Sequence, residues 1–455
     1  MKFTKFSKAL LMSALSVGVV LSVTSCVQSY TVGYLYVTGT VTAGTNGNGI
    51  ISGFKIDHNT GKLTNINGLP ISSGGANPVR AVLISGSRFL YVLNRGVNKE
   101  GNGNCTTTDP CLNPNITQFV LGANGIMTDQ ETFYTQGLNP FRLMADASGT
   151  FLYVLDHDSP SSPSNPLCAA NLGLGVNACG DITAFQINST TGRLTLVPNT
   201  AASVALGDTL PYFPVPANPV DFLMASNDII TLSATAAQTA YPYTGGATVF
   251  PYTYSSTNGQ LTINQNSSQP LNINYGTALV SAGGYVWVLD NEPPTVNTTG
   301  ASSQILPYSV GSNGALQAAT SGPVPDDPTL ANPIYLVIEN KGKWIYVANQ
   351  GNAPLGSQSG TAQSGVAGWV MNSPLQPAFI AGEPFPGAGA APQCMVEDPS
   401  NQFFYTANYN DSTVVGTMLN QQSGQLQSLS QASKAPSSYS LPGPATWCLT
   451  NGRTG

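Results

Sequence analysis

Charge is what this chain has least of: only 8% of its 455 residues are Asp, Glu, Lys or Arg. A disordered chain would be rich in charge and poor in aromatics, whereas this one carries 19 Tyr, 16 Phe and 4 Trp, so a packed core is expected. Histidine is nearly missing, with two copies, and no two of the seven cysteines form Cys-x-x-Cys, which leaves no basis for a Cys/His zinc site. No phosphate loop, EF-hand or serine nucleophile elbow occurs either, so no metal or other cofactor is expected. The formal charge is −6, with 15 Lys and Arg against 21 acidic residues, a poor balance for binding nucleic acid. What abounds is Gly (48) and Pro (33), with much Ser, Thr and Asn, the composition of a turn-rich β protein.

The first residues read as a targeting segment. Lys2, Lys5 and Lys8 precede an apolar stretch, Ala9 to Val23, that is short for a membrane span. It ends in Val23-Thr24-Ser25-Cys26, which resembles the bacterial lipobox. The resemblance implies cleavage after residue 25, a lipid-anchored Cys26 followed by a short linker to residue 30, and an exported protein on the cell envelope. Val27 is not the Asp associated with inner-membrane retention.

From residue 31 to the end the chain repeats itself. The phrases FLYVLN (89–94), FLYVLD (151–156), YVWVLD (285–290), WIYVAN (344–349) and FFYTAN (403–408) alternate in the manner of a strand, with Phe89, Tyr91 and Leu93 facing away from Leu90, Val92 and Asn94. Pro78, Pro140, Pro333 and Pro392 each stand fourteen residues before the same point of the phrase. Seven related segments follow, from ISGFKI (51–56) to VVGTML (414–419), and six run into a Gly-bearing turn such as HNTGKL or STTGRL. The sixth unit has NSPLQP instead, and the fourth, NPVDFLMASNDIITLS, keeps its proline but loses the aromatic phrase. Each unit thus holds four strands: A after the proline, B the phrase, then C and D. Such a period predicts an all-β, seven-bladed β-propeller. The chain opens with a strand B (YLYVTG, 34–39) and closes with a strand A (GPATWCLTNG, 443–452), so the two ends should complete one blade and close the ring.

The order P…G-x-FLYV-x-N-R-G…T-G-x-L resembles the lactonase-like seven-bladed propellers of the 6-phosphogluconolactonase type. The resemblance implies hydrolysis of a sugar lactone without a cofactor, and Arg95, in the NRG triplet, matches the family's strand-B arginine. The family's histidine beside the strand-A proline is missing: the residues there are Val79, Phe141, Val220, Ile334, Gln393 and Ala445. Other members of such folds are non-catalytic surface propellers, so a monomer that binds a glycan, peptide or partner protein is the alternative.

Loop lengths select a face. The B–C loops are long (96–115, 157–181, 235–247, 291–303 and 350–365) while the A–B and C–D turns are short, and long loops on a rigid scaffold carry function. Beside the strand-A prolines on that face stand Arg80, Arg142, Asp221, Tyr335 and Gln393, of which the two arginines could hold a carboxylate or phosphate. At the ends of the B strands stand Asn94, Arg95, Asp156, His157, Asp290, Asn349 and Asn408. Ring opening needs a general base, for which Asp156, His157 and Asp158 are the candidates beside Arg95; the Asx residues also serve simply to bond neighbouring backbone.

Setting Cys26 aside leaves six cysteines, an even number suited to disulfides in an exported protein. Cys105 and Cys111 share one long loop and Cys168 and Cys179 another. Cys394 and Cys448 follow Pro392 and Pro444 at offsets that differ by two, which would keep them on the same side of two strands that are neighbours only if the ring closes.

Overall fold

The computed structural model describes residues 30–452 except 42–47, 85, 87, 100, 102–104, 107, 162–167, 169–177, 200–209, 235–245, 264–268, 272, 274, 292–302, 352–363, 372–376 and 386–388. The targeting segment and Cys26 lie outside the described residues, and so does most of the three later B–C loops. Among the described residues no helix is long and apolar enough to cross a membrane.

Seven antiparallel sheets form a ring, each running A-B-C-D outward from a central channel. Blade 1 joins the chain ends: its strand A is Ala445–Gly452 and its strand B Thr31–Thr40, with Tyr36 opposite Leu449. Strands A and B of the other blades are Pro78–Leu83 and Phe89–Asn94 (blade 2), Leu138–Ala145 and Phe151–Asp158 (blade 3), Pro219–Ala225 and Asp228–Ala234 (blade 4), Gly276–Ala282 and Tyr285–Asp290 (blade 5), Pro333–Ile338 and Trp344–Asn349 (blade 6), and Pro392–Glu397 and Phe403–Asn408 (blade 7). The unit without an aromatic phrase still forms a full blade, blade 4.

The core is not one body but seven seams, one between each pair of adjacent blades. A strand B is therefore buried on both faces. Leu90 and Val92 pack toward blade 1, while Tyr91 and Leu93 pack toward blade 3. That two-sided burial explains why the phrase is apolar at nearly every position.

The repeated phrase and the repeated Gly turn are two halves of one contact. Each glycine turns with positive φ, and a Cβ on Gly192 would stand 2.5 Å from the ring of Phe89 in the preceding blade. The carbonyl of the same glycine accepts the Tyr91 hydroxyl at 2.5 Å. The latch recurs from Tyr36 to Gly125 (2.9 Å), Tyr153 to Gly259 (3.2 Å), Tyr346 to Gly424 (2.6 Å) and Tyr405 to Gly61 (2.7 Å), the last across the ring closure. Burial raises the pKa of each of these phenols, so they stay protonated as donors.

All three disulfides form: Cys105–Cys111, Cys168–Cys179 and Cys394–Cys448, with Cα separations of 5.1, 5.6 and 5.9 Å. The last bridge has a different offset from the one the two prolines suggest. Gly39 pairs with Ala445 as Asn408 pairs with Pro392, so on the ladders Cys448 stands level with Met395, one step from Cys394 rather than two. An odd offset is what the bridge requires, because neighbouring blades present opposite faces to each other across a seam.

Candidate functional site at the channel mouth

At its entry every A strand bears a bulge. Pro78 faces Asn94 and Arg80 faces Leu93, which leaves Val79 without a partner, and the same shift recurs in all seven blades. The residue that follows the bulge lines the channel mouth in every blade but blade 7, whose Cys394 is buried in the seam with blade 1. In ring order these are Trp447, Arg80, Arg142, Asp221, Ala278, Tyr335 and Cys394. Before the proline, Asn77, Asn139, Asn218 and Asn332 take φ of 50 to 60°, a left-handed conformation that Asn tolerates better than other non-glycine residues.

Four residues singled out in the sequence, Arg80, Arg142, Asp221 and Tyr335, line one cavity of about 150 Å³, joined by Trp447. Gln393 is not among them. It occupies the bulge of blade 7, its amide donating to the carbonyls of Ala391 (3.1 Å) and Pro392 (3.3 Å), while Cys394 takes the equivalent of Arg80. Trp447 escaped the sequence reading because the proline of its strand lies one residue further out, and only the pairing of Thr38 with Trp447 reveals the match.

The two arginines differ in their partners. Arg142 Nε donates to Asp221 Oδ1 at 2.9 Å, and Asp221 is held in turn by the backbone N–H groups of Phe222 and Leu279, each at 2.9 Å. The guanidinium of Arg80 lies 3.7 Å above the indole of Trp447, whose Nε1 donates to the Ala81 carbonyl and whose edge meets Tyr335. None of the ion pairs among the described residues involves Arg80. Burial, helped by the charge of Arg142, brings its pKa down to about 9. Burial raises the Tyr335 phenol, an effect that Arg80 opposes.

On the rim Arg95 donates its N–H to the Asn77 carbonyl at 2.9 Å, and its Nε is buried without an acceptor. Burial lowers its pKa, an effect opposed by Asp158 and reinforced by Arg142. His157 Nδ1 lies 3.1 Å from Asp158 Oδ2, an oxygen that also accepts Asn139 Nδ2 at 2.6 Å. The imidazole rests against Phe141 with ring centres 6.2 Å apart, and the Arg142 guanidinium lies 5.1 Å from that same ring. The Cys105–Cys111 loop is tied down here, with Cys111 N–H donating to Asn139 Oδ1 at 2.8 Å.

The other residues at the ends of B strands face the strand ladders. Asp156 is fully buried opposite Asp181, and burial pushes both carboxyls upward. Its neighbour Asp158, not Asp156, orients His157. Asn94, Asp290 and Asn408 bond the polypeptide around them: Asn94 to the Ser73 carbonyl, Asp290 to Tyr275 N–H, Asn408 to Thr413. Asn349, equally buried, stands opposite Gly365. His58 stacks on Tyr30 at the far face.

Residues 45–162, about a quarter of the chain, match the family model of the lactonase seven-bladed β-propellers, and that segment includes Arg80, Arg95, Arg142 and His157. No curated protein matches the sequence. Among solved structures the fold is shared with the periplasmic gluconolactonase of Pseudomonas aeruginosa, at 16% identity and TM-score 0.63, covering 93% of this chain and 100% of that one. A candidate 6-phosphogluconolactonase of Bacteroides uniformis has 13% identity and TM-score 0.61, with 93% and 100% covered. One from Bacteroides fragilis has 14% identity and TM-score 0.58, with 92% and 98% covered. The chain thus resembles the lactonase-like seven-bladed propellers, as its repeats implied.

Proposed function

We propose that the channel mouth binds a sugar lactone and hydrolyses it to the hydroxy acid. The observation that carries this reading is the pair of guanidinium groups, Arg80 without a carboxylate partner and Arg142 already oriented by Asp221, in a cavity sized for a small ligand. A cation stacked on an indole is desolvated and positioned before the ligand arrives, so it interacts more strongly with negative charge than it would in water. In this mechanism His157 Nε2 takes a proton from water, with Asp158 holding the ring. The hydroxide adds to the lactone carbonyl, Arg142 and Arg95 stabilise the oxyanion, and the ring C–O bond breaks as His157 returns its proton to the departing alkoxide. The carboxylate product remains against Arg80.

Hydrolysis of δ-gluconolactone by the purified chain, followed by acid release, tests the reading. Arg95→Ala is expected to lower kcat/KM on the order of a hundredfold, the usual cost of one charge-stabilising donor. Binding of gluconate should hold below pH about 9 and fall above it, as Arg80 loses its proton. Gluconate binding without turnover would favour the non-catalytic alternative, which the lack of histidine beside the strand-A prolines supports. No turnover and no binding would dismiss the site.

Export and lipid anchoring at Cys26 belong to the same proposal, supported by three disulfides of the kind that persist outside the cytoplasm. The chain would then act as an envelope-anchored monomer on lactones reaching it from outside.

A further inference from the structure

Blades 2 and 3 contain the same four-residue constellation behind the channel mouth, once neutral and once acidic. In blade 2 it is Ser73, Asn94, Asn115 and Thr117. Asn94 Nδ2 donates to Asn115 Oδ1 (2.9 Å), Thr117 Oγ1 (3.2 Å) and the Ser73 carbonyl (3.0 Å), while Ser73 Oγ donates to Asn94 Oδ1 at 2.6 Å. The set is closed, each amide finding a partner. In blade 3 the equivalent residues are Thr135 and Asp156, at the same distances from the strand-A proline as Ser73 and Asn94, and Asp181 and Thr183, on the same ladder rungs as Asn115 and Thr117. Replacing both Asn by Asp removes two NH₂ donors and adds two carboxylates at the same spot.

The result is a cage of oxygens with too few donors. Asp156 and Asp181 are both 0% exposed and directly opposite each other. Asp181 Oδ2 lies 2.2 Å, and Asp156 Cγ 2.6 Å, from the point where a Cβ on Gly137 would stand. Both oxygens of Asp156 and Oδ2 of Asp181 lack a hydrogen-bond partner. Independently, the Thr135 hydroxyl, on a residue only 9% exposed, turns toward Asp156 without reaching hydrogen-bond geometry, where its counterpart Ser73 closes a bond to Asn94. No basic side chain pairs with either carboxylate among the described residues; Asp158 next to them is engaged by Asn139 and His157.

We infer that Asp156, Asp181, Thr135 and Thr183 hold a divalent cation, best suited by Ca²⁺, between the two facing carboxylates. Hard cations take carboxylate and hydroxyl oxygens, and a double positive charge balances two buried carboxylates, which one shared proton would not. Only two carboxylates contribute, and no group of three or more His, Cys, Asp or Glu capable of holding a metal occurs among the described residues, so the threonine oxygens and water must complete the shell. The cation would brace the start of the loop that carries His157, one residue beyond Asp156.

The test uses the full chain stripped with EDTA, titrated with Ca²⁺ by calorimetry and followed by thermal unfolding. One Ca²⁺ per chain and a rise in Tm with Ca²⁺ are expected. The double substitution Asp156→Asn with Asp181→Asn restores the closed set of blade 2. It should fold, bind no Ca²⁺, show no Ca²⁺-dependent shift, and unfold above the stripped wild type. A wild type that ignores Ca²⁺ would mean that protons neutralise the pair and would overturn the inference. So would a double variant that binds Ca²⁺ as the wild type does.

Discussion

The seams of this ring come in two kinds. Five, running from blade 6 through blade 7 and blade 1 to blade 4, carry the tyrosine–glycine latch. The two that flank blade 5 do not. On one side blade 4 offers Asp228 and Ile230 where the others place an aromatic ring and a tyrosine, although Gly314 still turns opposite them. On the other side the sixth unit has no glycine in its turn, and blade 5 offers Trp287, whose Nε1 donates instead to Ala282 of its own blade. Blade 5 also lacks the strand-A proline and presents Ala278 to the channel. The arginines, the closing disulfide and the oriented histidine all sit in the latched arc. Side-chain packing alone therefore suffices to close a seam, since Trp287 and Trp369 fill theirs. The latch adds a directional bond where the blades carry charge at their inner ends.

Breaking the latched arc should cost more than breaking the unlatched one. The largest effect is expected at the closure. Replacing Cys394 and Cys448 together by Ala opens a link spanning 54 residues and should cost about 4 kcal/mol in urea unfolding on the chain-entropy account, about 2 more than removing Cys105–Cys111, which spans 6. Equal losses would deny the closure its special place.

Next comes Gly192→Ala. The new Cβ meets Phe89 and Gln118 at 2.5 Å in a left-handed conformation, for a loss of about 3 kcal/mol from strain and overpacking. Gly284→Ala, at the A–B turn of blade 5, has positive φ but no atom within 4 Å, so only the backbone term of about 1 kcal/mol should remain. A similar loss at both sites would show that backbone strain, not the packed ring, sets the requirement for glycine.

The smallest effect is the sharpest. Tyr91→Phe keeps the packing and removes the hydroxyl that Gly192 accepts, for about 1 kcal/mol. Tyr285→Phe, in the unlatched blade 5, should change stability by a few tenths at most, within the usual spread for surface substitutions.

Much of this was legible before the fold was known. The alternation within FLYVLN assigns its residues to two seams, the Gly turns mark the C–D hairpins, and the unmatched strands at the two ends announce the closure. Arg80, Arg142, Asp221 and Tyr335 could be grouped because the proline before each of them is a fixed marker. Trp447 was missed because the marker is shifted by one residue in blade 1, and Gln393 stands one residue after its proline where the other four stand two, so the bulge takes it and Cys394 follows. Asp156 and Asp158 could not be told apart as the partner of His157, because nothing local says which of two carboxylates beside a histidine turns toward it.

Local rules of strand periodicity and turn conformation depend on neighbours in the chain, so the sequence by itself determined the number of blades, their strands and the way the ring shuts. Which side chains meet was left to the tertiary structure: Arg80 on Trp447, 367 positions apart in the chain, Arg142 on Asp221, and Asp156 against Asp181. A bulge displaces every following side chain by one step without demanding any residue type. Facing partners come from different blades or from opposite ends of a long loop, and only the closed ring brings them within a few ångströms.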